Sequence, residues 1–312
     1  ARMVAKAEIP TRPDSPRKAL DLAMAIIIGC ALAVGVAALA ERLDDHVHSE
    51  DDARAVTRRP VLAHVPLIKE AGQHLLLNQS GKPSALLESY RMLRANIAFS
   101  ALDEPITSLA ITSSQPDEGK STTAANLAMV MALDGKKVII VDCDLRRPSL
   151  HRVFEIANKV GFTSVLAGSS SLAEALQETK VPGLYVLTSG PIPPNPTEML
   201  NSKAGRQCFT QIMEQADFTV LDSPPALAMA DAQIVASVAD AVLLVISCTD
   251  TGKRHIARTS ELLSQTGAKF LGTVLSKMPA NDYRRYQYYG EYLSHENGED
   301  HAPSESKDLE KV

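Results

Sequence analysis

Cysteine is scarce in this sequence, and no two of its cysteines are placed to work together. Cys30, Cys143, Cys208 and Cys248 lie far apart, and no pair has metal-ligand spacing. A zinc ribbon or a disulfide framework is thereby excluded, and reduced thiols in a cytosolic fold are expected. An excess of positive charge is missing as well. Against 37 Asp and Glu stand 32 Lys and Arg, a net charge of −5, so nothing invites a nucleic-acid partner. There is also no charged leader with a cleavage site, and the opening ARMVAKAEIPTRPDSP reads as the interior of a longer chain. What is present is ordinary globular material. The 312 residues are 45% hydrophobic and 22% charged, enough for one large domain with attachments.

One segment breaks that pattern. Leu22 to Ala40 is a run of 19 residues without a charge. As a helix it would be about 28 Å long, close to the roughly 30 Å of a bilayer's hydrocarbon core. A helix apolar on every side is hard to place in a soluble domain of this size, so a transmembrane span is expected. Basic residues flank it on both sides (Arg12, Arg17 and Lys18; Arg42, Arg54, Arg58 and Arg59), and the positive-inside comparison is a draw. Charge alone therefore leaves its orientation open.

From about Ser84 short apolar strands alternate with helical stretches. The expected strands are 108–112, 137–142, 184–188, 218–222, 241–247 and 270–276, with helices such as 121–133, 231–239 and 253–265 between them. Strands separated by helices imply an α/β fold, a mostly parallel sheet covered by helices on both faces.

Three motifs end such strands. Ser113-Ser-Gln-Pro-Asp-Glu-Gly-Lys-Ser-Thr122 follows an apolar strand and opens an alanine-rich helix, the setting of a P-loop. The backbone of Ser114, Gln115, Pro116, Asp117, Glu118 and Gly119 would surround phosphates with the helix N-terminus. Lys120 would reach the β- and γ-phosphates, and Ser121, next to Thr122, would ligate Mg²⁺. Ser114 stands where the motif expects its first glycine. The second motif, Val138-Ile-Ile-Val-Asp-Cys-Asp-Leu-Arg-Arg-Pro148, delivers Asp142 and Asp144; the third, Phe218-Thr-Val-Leu-Asp-Ser-Pro-Pro225, delivers Asp222. Ligands in open parallel sheets lie beyond the carboxyl ends of strands, so all three aspartates can converge on Lys120.

Taken together, these segments resemble the Walker A, A′ and B motifs of the bacterial tyrosine kinases of capsule and exopolysaccharide synthesis, over about residues 16–293. The resemblance implies a P-loop NTPase-like kinase domain using ATP and Mg²⁺. It implies that Lys120, Asp142 and Asp144 are catalytic, with Asp142 the base for a tyrosine hydroxyl. Asp144 would assist, and Ser121, Asp142 and Asp222 would attend the metal. Relatives often carry Asn before a basic residue near the adenine; here Ser276 precedes Lys277. The expected organisation is a periplasmic remnant at 1–18, a membrane helix at 19–40, a juxtamembrane linker at 41–83, the kinase domain at 84–280 and a tyrosine-rich tail at 281–312. The inner membrane is the expected location, with the kinase domain in the cytoplasm.

Five of the chain's seven tyrosines, Tyr283, Tyr286, Tyr288, Tyr289 and Tyr292, fall within ten residues among polar neighbours. The resemblance marks them as an exposed acceptor cluster. Glu88, Arg91 and Arg94 share a helical face and could simply pair along it. In the family this ExxRxxR motif joins subunits of a ring, which implies self-association. The family further implies polysaccharide polymerisation and export machinery, and a tyrosine phosphatase, as partners. Two other readings compete with this one. A partition-type ATPase switch would place a signature lysine where Gln115 stands. A non-catalytic scaffold would have no need of the intact Lys120 and aspartates.

Overall fold

The structure, a computed structural model, describes residues 18–43, 45–67, 85–102, 104–279 and 282–283. It divides into two units, one ending at Asp45 and one beginning at His46. Helix α1 (Lys18–Leu43) makes up all of the described part of the first except Asp45. Within it, Leu20–Leu39 is long and apolar enough to cross a membrane, and no residue of that stretch is buried. Leucines, isoleucines and valines bared on every face suit hydrocarbon rather than water.

The second unit runs α2 (Glu50–Thr57), β1 (Val61–Pro66), α3 (Ala85–Ser100), β2 (Ser108–Ser113), α4 (Lys120–Leu133) and β3 (Val138–Asp142). The short helices α5 (Leu150–Val153), α6 (Phe162–Leu166) and α7 (Leu172–Ala175) lead to β4 (Leu176–Glu178) and β5 (Leu184–Leu187). Then come α8 (Pro196–Asn201), α9 (Lys203–Glu214), β6 (Phe218–Asp222), α10 (Asp231–Val238), β7 (Ala241–Ser247), α11 (Lys253–Ser264) and β8 (Lys269–Met278). The eight strands form one sheet in the order β1-β8-β7-β2-β6-β3-β5-β4. Only the β4–β5 pair is antiparallel.

Strands β2, β3, β6 and β7 are buried at every position, as a parallel sheet covered on both faces requires. Their side chains alternate between two cores. Leu109, Ile111, Val138, Ile140 and Val220 join the core containing α3 and α4. Ala110, Ile139, Val141 and Leu221 join the core containing α9, α10 and α11. The six expected strands and the expected parallel sheet are all present.

The linker expected over 41–83 needs correction, because part of it belongs to the sheet. Ser49 caps α2 by accepting from Asp52 N–H, and three acidic residues open that helix, which suits its positive end. Strand β1 then pairs with β8 as an edge strand. Locally VLAHVP is only a short apolar patch between prolines; its partner lies some two hundred residues further on. Prolines at strand ends are permitted at an edge, and the pairing itself could not be read locally.

Candidate functional site

The P-loop joins β2 to α4. Gly119, immediately before the helix, has φ 91°, the left-handed region that glycine enters without a Cβ penalty. Asp117, at the exposed crest, has φ 63°, which aspartate tolerates better than most residues. Ser114 is not among the positive-φ residues, so this loop needs no glycine there. Its hydroxyl accepts from Thr259 at 2.9 Å.

Inside the loop Glu118 is 1% exposed. Its Oε2 accepts from the N–H groups of Ser114 (2.7 Å) and Gln115 (3.1 Å), and its Oε1 from the Thr251 hydroxyl (2.5 Å). Burial nevertheless raises its pKa above the ordinary value, against the pull of those donors. Two of the N–H groups expected to face phosphate are therefore engaged with a carboxylate. The first turn of α4, from Lys120 to Thr122, retains N–H groups outside the helix ladder.

Neighbouring strands bring the acidic groups to the same end. In register, Asp222 on β6 lies between Ile111 on β2 and Asp142 on β3. Lys120 Nζ is 3.2 Å from Asp144 Oδ2, 3.4 Å from Asp222 Oδ1 and 3.1 Å from Ser121 Oγ. Burial works against the ammonium, but Asp222, then Asp144 and Asp142, outweigh it and raise its pKa. Asp142 is wholly buried. Its Oδ1 accepts from Asp144 N–H, and its Oδ2 from those of Ser149 and Leu150. Burial, then the charge of Asp222, lifts its pKa to about 7. Burial raises that of Asp222 too, against the pull of Lys120.

This geometry fits a magnesium nucleotide. Asp222 Oδ2 is buried without a hydrogen-bond partner, and the cluster holds three carboxylates against one lysine. Among the described residues no group of three His, Cys, Asp or Glu side chains is arranged as a metal cage. Magnesium typically takes one or two protein oxygens, with phosphates and waters supplying the rest. Ser121 and Asp222 are the groups suited to it. Asp142 differs from them in that three N–H donors already hold its oxygens. A cavity of about 450 Å³ lined by Arg94, Asp134, Lys136 and Phe218 lies at the opposite, N-terminal end of the strands and has no part in this chemistry.

Several residues not assigned to the site from the sequence support it. Ser276 donates to Glu118 O (2.5 Å) and Ile246 O (3.2 Å), so its hydroxyl braces the P-loop. Arg146 donates to Asp231 Oδ2 and to Thr197 Oγ1, each at 3.0 Å, and Thr197 in turn bonds Asp231. That network ties the loop after β3 to α8 and α10.

Comparison with known proteins agrees with this geometry. A family profile described as an AAA domain matches residues 107–270. The tyrosine-protein kinase YwqD of Bacillus subtilis (strain 168) is 46% identical over 203 residues, 65% of this chain and 86% of that protein. The chain belongs to the bacterial tyrosine-protein kinase family. The kinase is also 31% identical over 325 residues to the putative tyrosine-protein kinase EpsB of Ralstonia nicotianae, covering 99% of this chain but 43% of that longer protein. Among solved structures, the chimerical protein CapA2B2 superposes with a TM-score of 0.70 at 35% identity, over 74% of this chain and all of that one. The kinase domain of Escherichia coli tyrosine kinase ETK gives 0.68 at 26% identity, over 75% and 96%.

One expectation for the kinase changes with the structure. Tyr283, expected to be exposed with the rest of its cluster, is 8% exposed. Its hydroxyl lies 2.8 Å from Ser89 Oγ and donates to Ala85 O at 2.8 Å, both on α3. Tyr286, Tyr288, Tyr289 and Tyr292 lie outside the described residues. The ExxRxxR face is only partly self-paired: Arg91 bonds Glu88 at 2.7 Å, whereas Arg94 pairs with Asp134 at the end of α4. Tyrosine counts and helical spacing carry no information about either tertiary partner.

Proposed function

We propose that this kinase transfers the γ-phosphoryl group of ATP to the tyrosines of its own C-terminal segment, acting between copies in a ring-like oligomer at the inner face of a bacterial inner membrane. The convergence of Lys120, Asp142, Asp144 and Asp222 at the ends of three adjacent strands carries the reading. Lys120 leaves its aspartates for the phosphates as nucleotide enters. Magnesium bound with the nucleotide would supply neutralisation of charge on the transferring group. Ser121 and Asp222 are the residues that would hold it.

Asp142 is the proton acceptor in this scheme. A carboxylate has about four acceptor positions, and three N–H donors occupy those of Asp142, leaving one for a phenol. A tyrosine has a pKa near 10, so a fixed base with a pKa raised to about 7 is matched to removing its proton at neutral pH. Asp144 receives Lys120 in the resting state and helps align the acceptor.

Self-association is supported by α3, which exposes Met92 and Phe99 on the side that carries Glu88 and Arg91. Each phosphotyrosine adds about −1.5 to −2 charges, enough over several sites to push equivalent tails apart. Cycling between assembled and dispersed rings is the proposed means of regulating capsule or exopolysaccharide polymerisation and export, with a phosphatase resetting the tail. The membrane assignment rests on α1.

Incubation with Mg²⁺ and ATP followed by intact-mass measurement tests the activity; steps of about 80 Da, one per phosphoryl group, should map to residues 283–292. Phosphate release without labelling would favour an ATPase switch, and silence in both assays a scaffold. Within the cluster, Tyr283 should label last, since its hydroxyl must first leave Ser89 and Ala85. Peptide mapping over time checks the order, and early labelling of Tyr283 would contradict it.

A further inference from the structure

Glu118 presents a puzzle that the phosphate-cradle reading leaves open. The loop around it is built to receive anions, yet it already holds a buried carboxylate. An anion beside a triphosphate weakens nucleotide binding unless it does something that compensates. Its bonds say what that is. The side chain is aimed back at the start of the loop, towards the N–H groups of Ser114 and Gln115, and across to the hydroxyl of Thr251 after β7. Thr251 is itself fixed, because its Oγ1 accepts from Ser247 N–H at 3.1 Å. The main-chain carbonyl of Glu118 is held from the other side by Ser276 on β8. One residue thus joins the start of the P-loop, just after β2, to the β7–α11 loop and β8.

We propose that Glu118 is a positioning residue for the nucleotide site, a clamp that fixes the first two residues of the P-loop and leaves the donors of the loop's end and of the first turn of α4 for the phosphates. The assignment rests on the nucleotide reading given above. It differs from a direct phosphate contact, because all three bonds of the carboxylate go to the protein's own groups. Glutamine can keep the clamp, since its amide oxygen can accept both N–H bonds and its NH₂ can face the Thr251 oxygen. Alanine cannot.

The test is calorimetric titration of MgADP into full-length protein carrying Glu118→Gln, Glu118→Ala or Thr251→Val, with melting temperatures taken alongside. Glu118→Gln should bind within about threefold of the parent, whereas Glu118→Ala should bind on the order of tenfold or more weakly, the scale expected when hydrogen bonds to a charged group are lost. Thr251→Val should fall between them at a nearly unchanged melting temperature. Equal behaviour of Glu118→Gln and Glu118→Ala, both tighter than the parent, would show that the carboxylate acts only by its charge and would overturn the clamp. Should Glu118→Ala fail to fold, Thr251→Val decides alone, and parental affinity there overturns the proposal. Nucleotide binding is read without phosphoryl transfer. A parent protein that binds MgADP but labels no tyrosine would defeat the kinase reading and leave the clamp to be judged on its own data.

Discussion

Lys120→Met is expected to abolish tyrosine labelling and, in the nucleotide-free protein, to lower stability as well. The catalytic loss should be on the order of 10²–10³ or more, the scale for removing one group that meets developing charge. The loss of stability comes from the resting arrangement. Lys120 lies between Asp144 and Asp222, with Asp142 beside them, and all three carboxylates are buried. Removing one partner of a buried ion pair typically costs about 3–5 kcal/mol because it strands the other charge. The site has a partial escape, since Asp142 and Asp222 already have raised pKa values and can take up protons. The destabilisation should therefore be larger at pH 8 than at pH 6. Denaturant unfolding at the two pH values, beside initial rates of labelling, reads both effects. A Lys120→Met protein as stable as the parent at pH 8 would mean that the lysine does not hold the carboxylates together.

Asp222→Asn should have opposite effects on stability and activity. Asp222 Oδ2 has no hydrogen-bond partner, and its charge helps raise the pKa of Asp142. An isosteric amide removes that repulsion while its oxygen can still meet Lys120, so the nucleotide-free variant should melt higher than the parent at neutral pH. Activity should nearly vanish, because the group suited to the metal is gone. The pH dependence gives a sharper signature. A carboxyl whose folded pKa is raised binds more protons folded than unfolded, so its contribution to stability falls as pH rises from its ordinary value towards the folded one. For Asp142 that window runs from 3.8 to about 7. His64, half-buried with a pKa lowered to about 4, acts in the opposite sense below its ordinary value, but it is common to both proteins and cancels in the comparison. The gap in melting temperature between variant and parent should widen from pH 5 to pH 7.5. A gap that is constant or of reversed sign would place the repulsion elsewhere.

Both expectations show how function is held against stability here. A cluster arranged for a magnesium nucleotide is over-supplied with negative charge when empty, and Lys120 makes up part of the shortfall. Such local conflict is expected where a fold carries a site.

The linear sequence determined the central part of this protein. Largely apolar runs ending in Asp142 and Asp222, and a glycine-lysine-serine turn opening an alanine-rich helix, leave one arrangement in which parallel strands deliver acids and a P-loop to the same edge. Strand periodicity and motif order are local properties, and local properties survive translation into structure. Tertiary structure alone decided the rest. It drew β1 into the sheet against β8, turned Glu118 back on its own loop through Thr251, spent Ser276 on bracing that loop, and buried Tyr283 against Ser89. Each of these depends on a partner distant in the chain or on the direction a side chain takes once its neighbours are packed, and neither is encoded in spacing or composition.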